Sequence, residues 1–137
     1  MALQTFGLWN YTEFPYKSLD ETTENPYIYM QTIVETPTFQ KAAVKVGLTE
    51  GEITAVAEKL ARDPEAGEMI PGSGGCRKVR VAGRGKGKSG GYRLITYYGG
   101  KDIPVYLLTI YSKGDRVNLS DQQVKAMKVF IKTAIKK

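Results

Sequence analysis

The chain has 137 residues, 42% hydrophobic and 25% charged, a size and balance that fit one domain with a real core and exclude wholesale disorder. A net charge of +6 and a pI of about 9.4 point to an anionic partner. The single cysteine, Cys76, excludes an intramolecular disulfide, the absence of histidine removes the commonest general base and metal ligand, and no apolar run approaches the roughly 18 residues of a membrane span.

Residues 1–29 stand apart. They hold seven aromatic residues (Phe6, Trp9, Tyr11, Phe14, Tyr16, Tyr27 and Tyr29), four acids and one base, a net charge of −3 that leaves +9 for residues 30–137. Their apolar residues show no clean period. Three readings stay open for this segment: an extension packed on the domain, a partner-binding arm, or sequence upstream of a true start at Met30. Residues 30–137 read as the compact domain. The N-terminus has no basic stretch followed by an apolar one, so no secretory signal is expected, and an unpaired cysteine fits a reducing, cytoplasmic location.

From Met30 the elements follow in order. Gln31 to Glu35 is a short strand candidate. Thr36 suits a helix N-cap and Pro37 the first helical position; Phe39, Ala42, Ala43 and Val46 give the apolar face, and Gly47 ends the helix. Thr49 and Glu52 form a capping box for a second helix, carried by Ile53, Val56, Ala57 and Leu60 and stopped at Asp63-Pro64. Pro71 to Gly75 is a turn-rich loop, and Cys76 is expected to be a buried or loop thiol. Lys78 to Ala82 alternates basic and apolar residues at a period of two, so Lys78 and Arg80 face one way and Val79 and Val81 the other. Tyr92 to Tyr98 is the next strand, Gly99-Gly100 a hairpin signal, and Val105 to Tyr111 a strand apolar enough to be central. Ser120 and Gln123 form a capping box for the last helix, with Val124, Met127, Ile131, Ala134 and Ile135 on its apolar face. The layout predicts a small α+β domain with helices packed on an antiparallel sheet and a C-terminal helix.

The most informative stretch is Gly74 to Tyr98. Arg77, Lys78, Arg80, Arg84, Lys86, Lys88 and Arg93 lie in it and no acid does. Gly85 to Gly90 fits Gly-x-Gly-x-x-Gly, but a strand follows where a dinucleotide motif needs a helix, and Ala82 stands where a P-loop needs glycine. No small-molecule substrate, cofactor or metal is therefore expected. A basic hairpin loop over residues 83–91 fits better: its glycines let the backbone approach a phosphodiester, Lys86 and Lys88 reach along the RNA backbone, and Lys78, Arg80 and Arg93 project from the sheet beside it. Each phosphate neutralised releases counterions. Tyr92, Tyr98 and Tyr111 are candidates to stack on bases, or sheet residues packing their rings.

The runs DPEAGEMIPGSGGCRKVRVAGRGKGKSGGYRLITYY (63–98) and VYLLTIYSKGDRVNLSDQQVKAM (105–127) resemble the RelE-like toxins of bacterial type II toxin–antitoxin systems, in particular their HigB-type branch. The likeness covers roughly residues 31–135. The most specific pieces are Asp63-Pro64-Glu65-Ala66-Gly67, Pro71-Gly72-x-Gly74-Gly75, Arg77-Lys78-x-Arg80, and Gly-Lys-x-Gly-Gly-Tyr-Arg at 87–93. The resemblance implies the RelE-like fold and a metal-independent, ribosome-dependent mRNA endoribonuclease that enters the 30S A site, cuts the displayed codon and stops translation. It also implies a cognate antitoxin of helix-turn-helix type. A non-catalytic RNA- or ribosome-binding module is the alternative.

In such a nuclease the RNA 2′-hydroxyl attacks its own adjacent phosphate. The enzyme aligns the 2′-oxygen, neutralises the phosphorane and moves two protons. Without histidine the base must be a lysine or a tyrosine. Like-charge crowding disfavours a charged lysine, and Lys78 lies beside Arg80, Arg93 and the Lys86/Lys88 stretch. Carried over by position, Lys78 and Arg80 match two basic strand positions of the family's active face. Arg93 matches the arginine that follows the aromatic, with a role in stabilising transition-state charge. Lys113 matches the basic residue after the last strand. Arg77, Arg84, Lys86, Lys88, Tyr92, Tyr98 and Tyr111 complete the expected RNA-contacting set. Gly114 and Ser120 depart from the pattern: the family commonly carries a polar or basic side chain at the first position, and some members a tyrosine at the second. The general acid and base are therefore left open.

Overall fold

The computed structural model describes residues 2–6, 9–13, 31–83, 87–100, 103–114 and 121–135. It is an α+β molecule built on one mixed sheet. The strands are β1 (Ala2–Phe6), β2 (Trp9–Glu13), β3 (Ile33–Glu35), β4 (Glu68–Met69), β5 (Cys76–Gly83), β6 (Gly87–Tyr97) and β7 (Val105–Ser112). Their order across the sheet is β1-β2-β3-β7-β6-β5-β4. β3 and β7 run parallel; the helices α1 (Pro37–Val46) and α2 (Glu50–Arg62) follow β3 and lead to β4 at the far edge, and the chain returns through β5 and β6 to β7. β5, β6 and β7 form the antiparallel meander. The helix α3 (Asp121–Phe130) runs on into a π turn over Ile131–Ile135.

The local chemistry explains both early helices. The Thr36 hydroxyl accepts the Phe39 N–H at 3.2 Å and donates to the Leu107 carbonyl at 2.8 Å, so one buried side chain caps α1 and ties it to β7. Gly47 ends α1 in the left-handed region at φ 80°, which costs glycine little. Thr49 and Glu52 exchange hydrogen bonds at 3.1 and 3.0 Å, a complete capping box for α2.

Two apolar clusters flank the sheet. α1 and α2 cover one face, where Phe39, Ala43, Ala57 and Leu60 pack on Val79, Leu94, Leu107 and Ile110. Leu60, Leu94 and Leu107 are fully buried, and each such side chain stabilises the fold by about 1.5–3 kcal/mol. α3 and the π turn cover part of the opposite face, where Ile131 packs with Cys76, Ile95, Tyr97 and Leu108. Cys76 is wholly buried, and its backbone N–H donates to Ser73 Oγ at 2.9 Å.

Three expectations change. The loop expected over residues 83–91 is cut back among the described residues: β5 reaches Gly83 and β6 begins at Gly87, with Gly83 opposite Gly87 after an irregularity past Val81. Lys88 therefore belongs to β6, while Arg84 and Lys86 lie outside the described residues. Glycine is a poor strand former, but Gly87 pairs with Gly83 of β5 and the Gly91 carbonyl accepts the Lys113 N–H. Residues 2–6 and 9–13 form a hairpin whose β2 pairs with β3, lengthening the sheet where the sequence shows no period. The predicted layout also lacked the two-residue edge strand β4. The Ser120 cap of α3 lies outside the described residues.

Candidate nucleic-acid interface

Strand alternation and register together build the site. On β5, Lys78 and Arg80 are exposed, Val79 is buried and Val81 is partly buried on the α1/α2 side. Arg80 pairs directly with Arg93 on β6, and Arg93 pairs directly with Tyr111 on β7. Directly opposed residues of an antiparallel ladder share a face, with Cβ atoms about 4.5–5.5 Å apart. Arg80, Arg93 and Tyr111 therefore form a row across three strands, with Lys78 one pair of residues further along β5. This is the face that α3 covers at Cys76, Ile95 and Tyr97; Lys78 and Arg80 stay exposed beyond it. Lys113 follows β7, exposed, and its backbone N–H donates to the Gly91 carbonyl at 3.0 Å, so the ladder holds it at the same end of the sheet as the row.

The electrostatics of the row are one-sided. Among the described residues the ion pair is Glu58–Arg62 on α2, so no described carboxylate is paired with Lys78, Arg80, Arg93 or Lys113. Arg93 is half-buried and donates to the Tyr92 carbonyl at 3.2 Å. Burial pushes the Tyr111 phenol up, and the neighbouring Arg93 guanidinium offsets this only in part. Tyr111 is thus a protonated donor at neutral pH, not a ready base. Among the described residues no group of three or more His, Cys, Asp or Glu side chains is gathered as a metal site would need.

Three residues of the expected RNA-contacting set go elsewhere. Arg77 points to the opposite face, where its guanidinium donates to the Glu65 carbonyl at 3.0 Å and more weakly to that of Gly67 at 3.4 Å. It ties β5 to the chain that follows α2. Tyr92 is only 8% exposed and packs in the α1/α2 core, and Tyr98 packs against the same cluster. Their rings fill the core side of the sheet. Cys76 is likewise structural: burial pushes its thiol up to about 11, despite an opposing hydrogen bond to Ser73.

One position absent from the expected set supports the site from below. Gly67 has φ 92°, and a Cβ there would run into the Lys78 carbonyl and Val79. The bare glycine lets the chain after α2 lie against β5 at the level of Lys78. The sequence signal was present, since Gly67 sits in the Asp-Pro-Glu-Ala-Gly run, but its contact partner is visible only in three dimensions. Against known proteins, the model of the family described as "RelE toxin of RelE / RelB toxin-antitoxin system" matches residues 31–137.

Proposed function

This chain belongs to the RelE toxin family and is a toxin of a toxin–antitoxin system, and we propose that it acts as a ribosome-dependent mRNA endoribonuclease of the HigB-type branch. The supporting observation is the Arg80–Arg93–Tyr111 row. Like charges directly opposed across a ladder destabilise a sheet, and a phosphate seated between two guanidinium groups converts that repulsion into binding.

In this reading a phosphodiester of the displayed codon sits on the row. Arg93, fixed by its bond to the Tyr92 carbonyl, and Arg80 bind the non-bridging oxygens and stabilise the extra charge of the phosphorane. The 2′-hydroxyl gives up its proton as its oxygen bonds to phosphorus, and the 5′-oxygen takes up a proton as its bond to phosphorus breaks, so the step is proton-neutral. The products are a 2′,3′-cyclic phosphate and a 5′-hydroxyl. Lys78 and Lys113 flank the row and hold neighbouring phosphates. Tyr111 donates a hydrogen bond to the same anion. The cognate antitoxin, of helix-turn-helix type, neutralises the toxin, and the pair works in the cytoplasm.

The test is a translation reaction with programmed ribosomes, followed by mapping of mRNA 5′ ends. The reading expects cleavage inside the A-site codon, none on naked RNA, and none with Arg93→Ala. Intact mRNA with protein bound to ribosomes would overturn it in favour of a non-catalytic ribosome-binding module.

A further inference from the structure

We propose that α3 and the π turn that continues it carry a second polyanion-binding surface, a lysine stripe that grips the phosphate backbone of double-helical RNA beside the strand on the sheet face. It rests on the reading above only for the identity of the polyanion as RNA. Lys125, Lys128 and Lys132 are all exposed. Lys125 and Lys128, three residues apart on α3, lie on one side of the helix, and Lys132 follows in the π turn that continues it. The inward residues Met127, Phe130, Ile131 and Ile135 hold the helix on the sheet, so the stripe is presented on a packed element.

Asp121 opens α3 and is its one acid; from residue 122 to residue 137 the sequence has lysines and no acid, and among the described residues the ion pair is Glu58–Arg62 on α2, so the stripe is strongly net positive. The stripe also adjoins the sheet-face cations. A Cβ on Gly74 would come within 3.4 Å of Lys128 Cγ, and one on Gly72 within 3.9 Å of Val124 Cγ1. The lysine side of α3 therefore lies against the 71–75 loop that leads into β5. Cys76 lies under α3, and Lys78 and Arg80 follow at alternate positions on the same face. The two basic surfaces meet along one line.

Side-chain chemistry separates their ligands. Single-strand binding uses aromatic platforms for unstacked bases, and the sheet row contains a half-buried aromatic, Tyr111. The described exposed neighbours of the stripe, Gln122, Ala126, Val129 and Thr133, include no aromatic. Lysines without a stacking partner read phosphates and shape, as duplex RNA requires.

The test measures binding of the full chain to a blunt-ended RNA duplex and to an unstructured single-stranded RNA across a salt series. It compares the parent, a K125Q/K128Q/K132Q variant and a K125R/K128R/K132R variant. The expected result is a loss of about tenfold or more in duplex affinity for the glutamine variant. Its log–log salt slope should become shallower by about 2 to 3, as for three lost phosphate contacts. Single-strand affinity should be unchanged, and the arginine variant should bind duplex like the parent. Equal duplex binding by parent and glutamine variant would overturn the proposal, as would an equal loss on both RNAs, which reports net charge alone. Stripe-dependent duplex binding without single-strand binding would support α3 while removing the sheet-face reading. Single-strand binding without duplex binding would do the reverse.

Discussion

Arg80 and Arg93 stand directly opposite each other across the β5–β6 ladder, with no described carboxylate paired to either. A sheet selected for stability alone would place a threonine or an opposite charge at one of these positions. Arg80→Thr should leave stability unchanged or raise it by about 0.2–1 kcal/mol, because it removes a like-charge pair, while lowering RNA cleavage. Denaturant midpoints and single-turnover cleavage on programmed ribosomes check the two halves separately.

Arg93→Ala should reduce the cleavage rate by about 10²–10³-fold, the usual effect of removing one preorganised transition-state donor. Loss in the rate of bound complex, with ribosome affinity little changed, marks a group that acts in the transition state. An equal loss in affinity alone would place Arg93 in ground-state binding.

Tyr111→Phe tests the neutral donor. Burial raises the phenol above its ordinary value of 10.0, so no tyrosine ionisation is expected in the neutral range of the pH–rate profile. Removing the hydroxyl should cost about 0.5–1.5 kcal/mol, one neutral hydrogen bond, or up to about tenfold in RNA affinity or rate. A neutral-range limb in the parent profile that disappears in the variant would show instead that Tyr111 titrates as a base.

The Thr36 hydroxyl serves two elements, capping α1 at Phe39 and bonding the β7 carbonyl of Leu107. Thr36→Val keeps the shape, removes both bonds and leaves a buried N–H unpaired. It should cost about 1–3 kcal/mol, with Thr36→Ser recovering most of the loss. A lower urea midpoint at constant slope is the expected readout.

Cys76 predicts an alkaline weakness. Its folded value is about 11 against an ordinary 9.0. Between them the unfolded chain has released the thiol proton and the folded chain keeps it, so stability falls as pH rises through that window and is unaffected below it. Cys76→Ala should lower stability overall through the lost volume, yet show a shallower decline between about pH 9 and 11. In the parent, thiol alkylation at neutral pH should require unfolding.

The parts read most directly from the residues depend on neighbours in sequence. Thr36, Pro37 and Gly47 mark both ends of α1, and Thr49 and Glu52 mark the start of α2, because caps join residues three or four apart. The alternation of Lys78, Val79, Arg80 and Val81 is equally local. The extent of β5 and β6 was missed because Gly87, Gly90 and Gly91 have no strand preference of their own. Strand structure there depends on partners distant in sequence, Gly83 for Gly87 and Lys113 for Gly91. The same limit applies to Arg77 and Tyr92: charge and aromaticity suggested RNA contacts, but which face each occupies depends on where the helices pack.

The sequence by itself determined the helices, the direction in which Lys78 and Arg80 point, the sign of the surface and the family to which the chain belongs. Only the tertiary structure decided that Arg80, Arg93 and Tyr111 form one row, that Tyr92 and Tyr98 belong to the core, and that Gly67 lies against Lys78. The reason is physical. Periodicity and capping are set by backbone geometry within a few residues. Register and facing are set by hydrogen-bonded pairing and burial among segments far apart in the chain, and a shift of one residue would move every side chain of a strand to the other face.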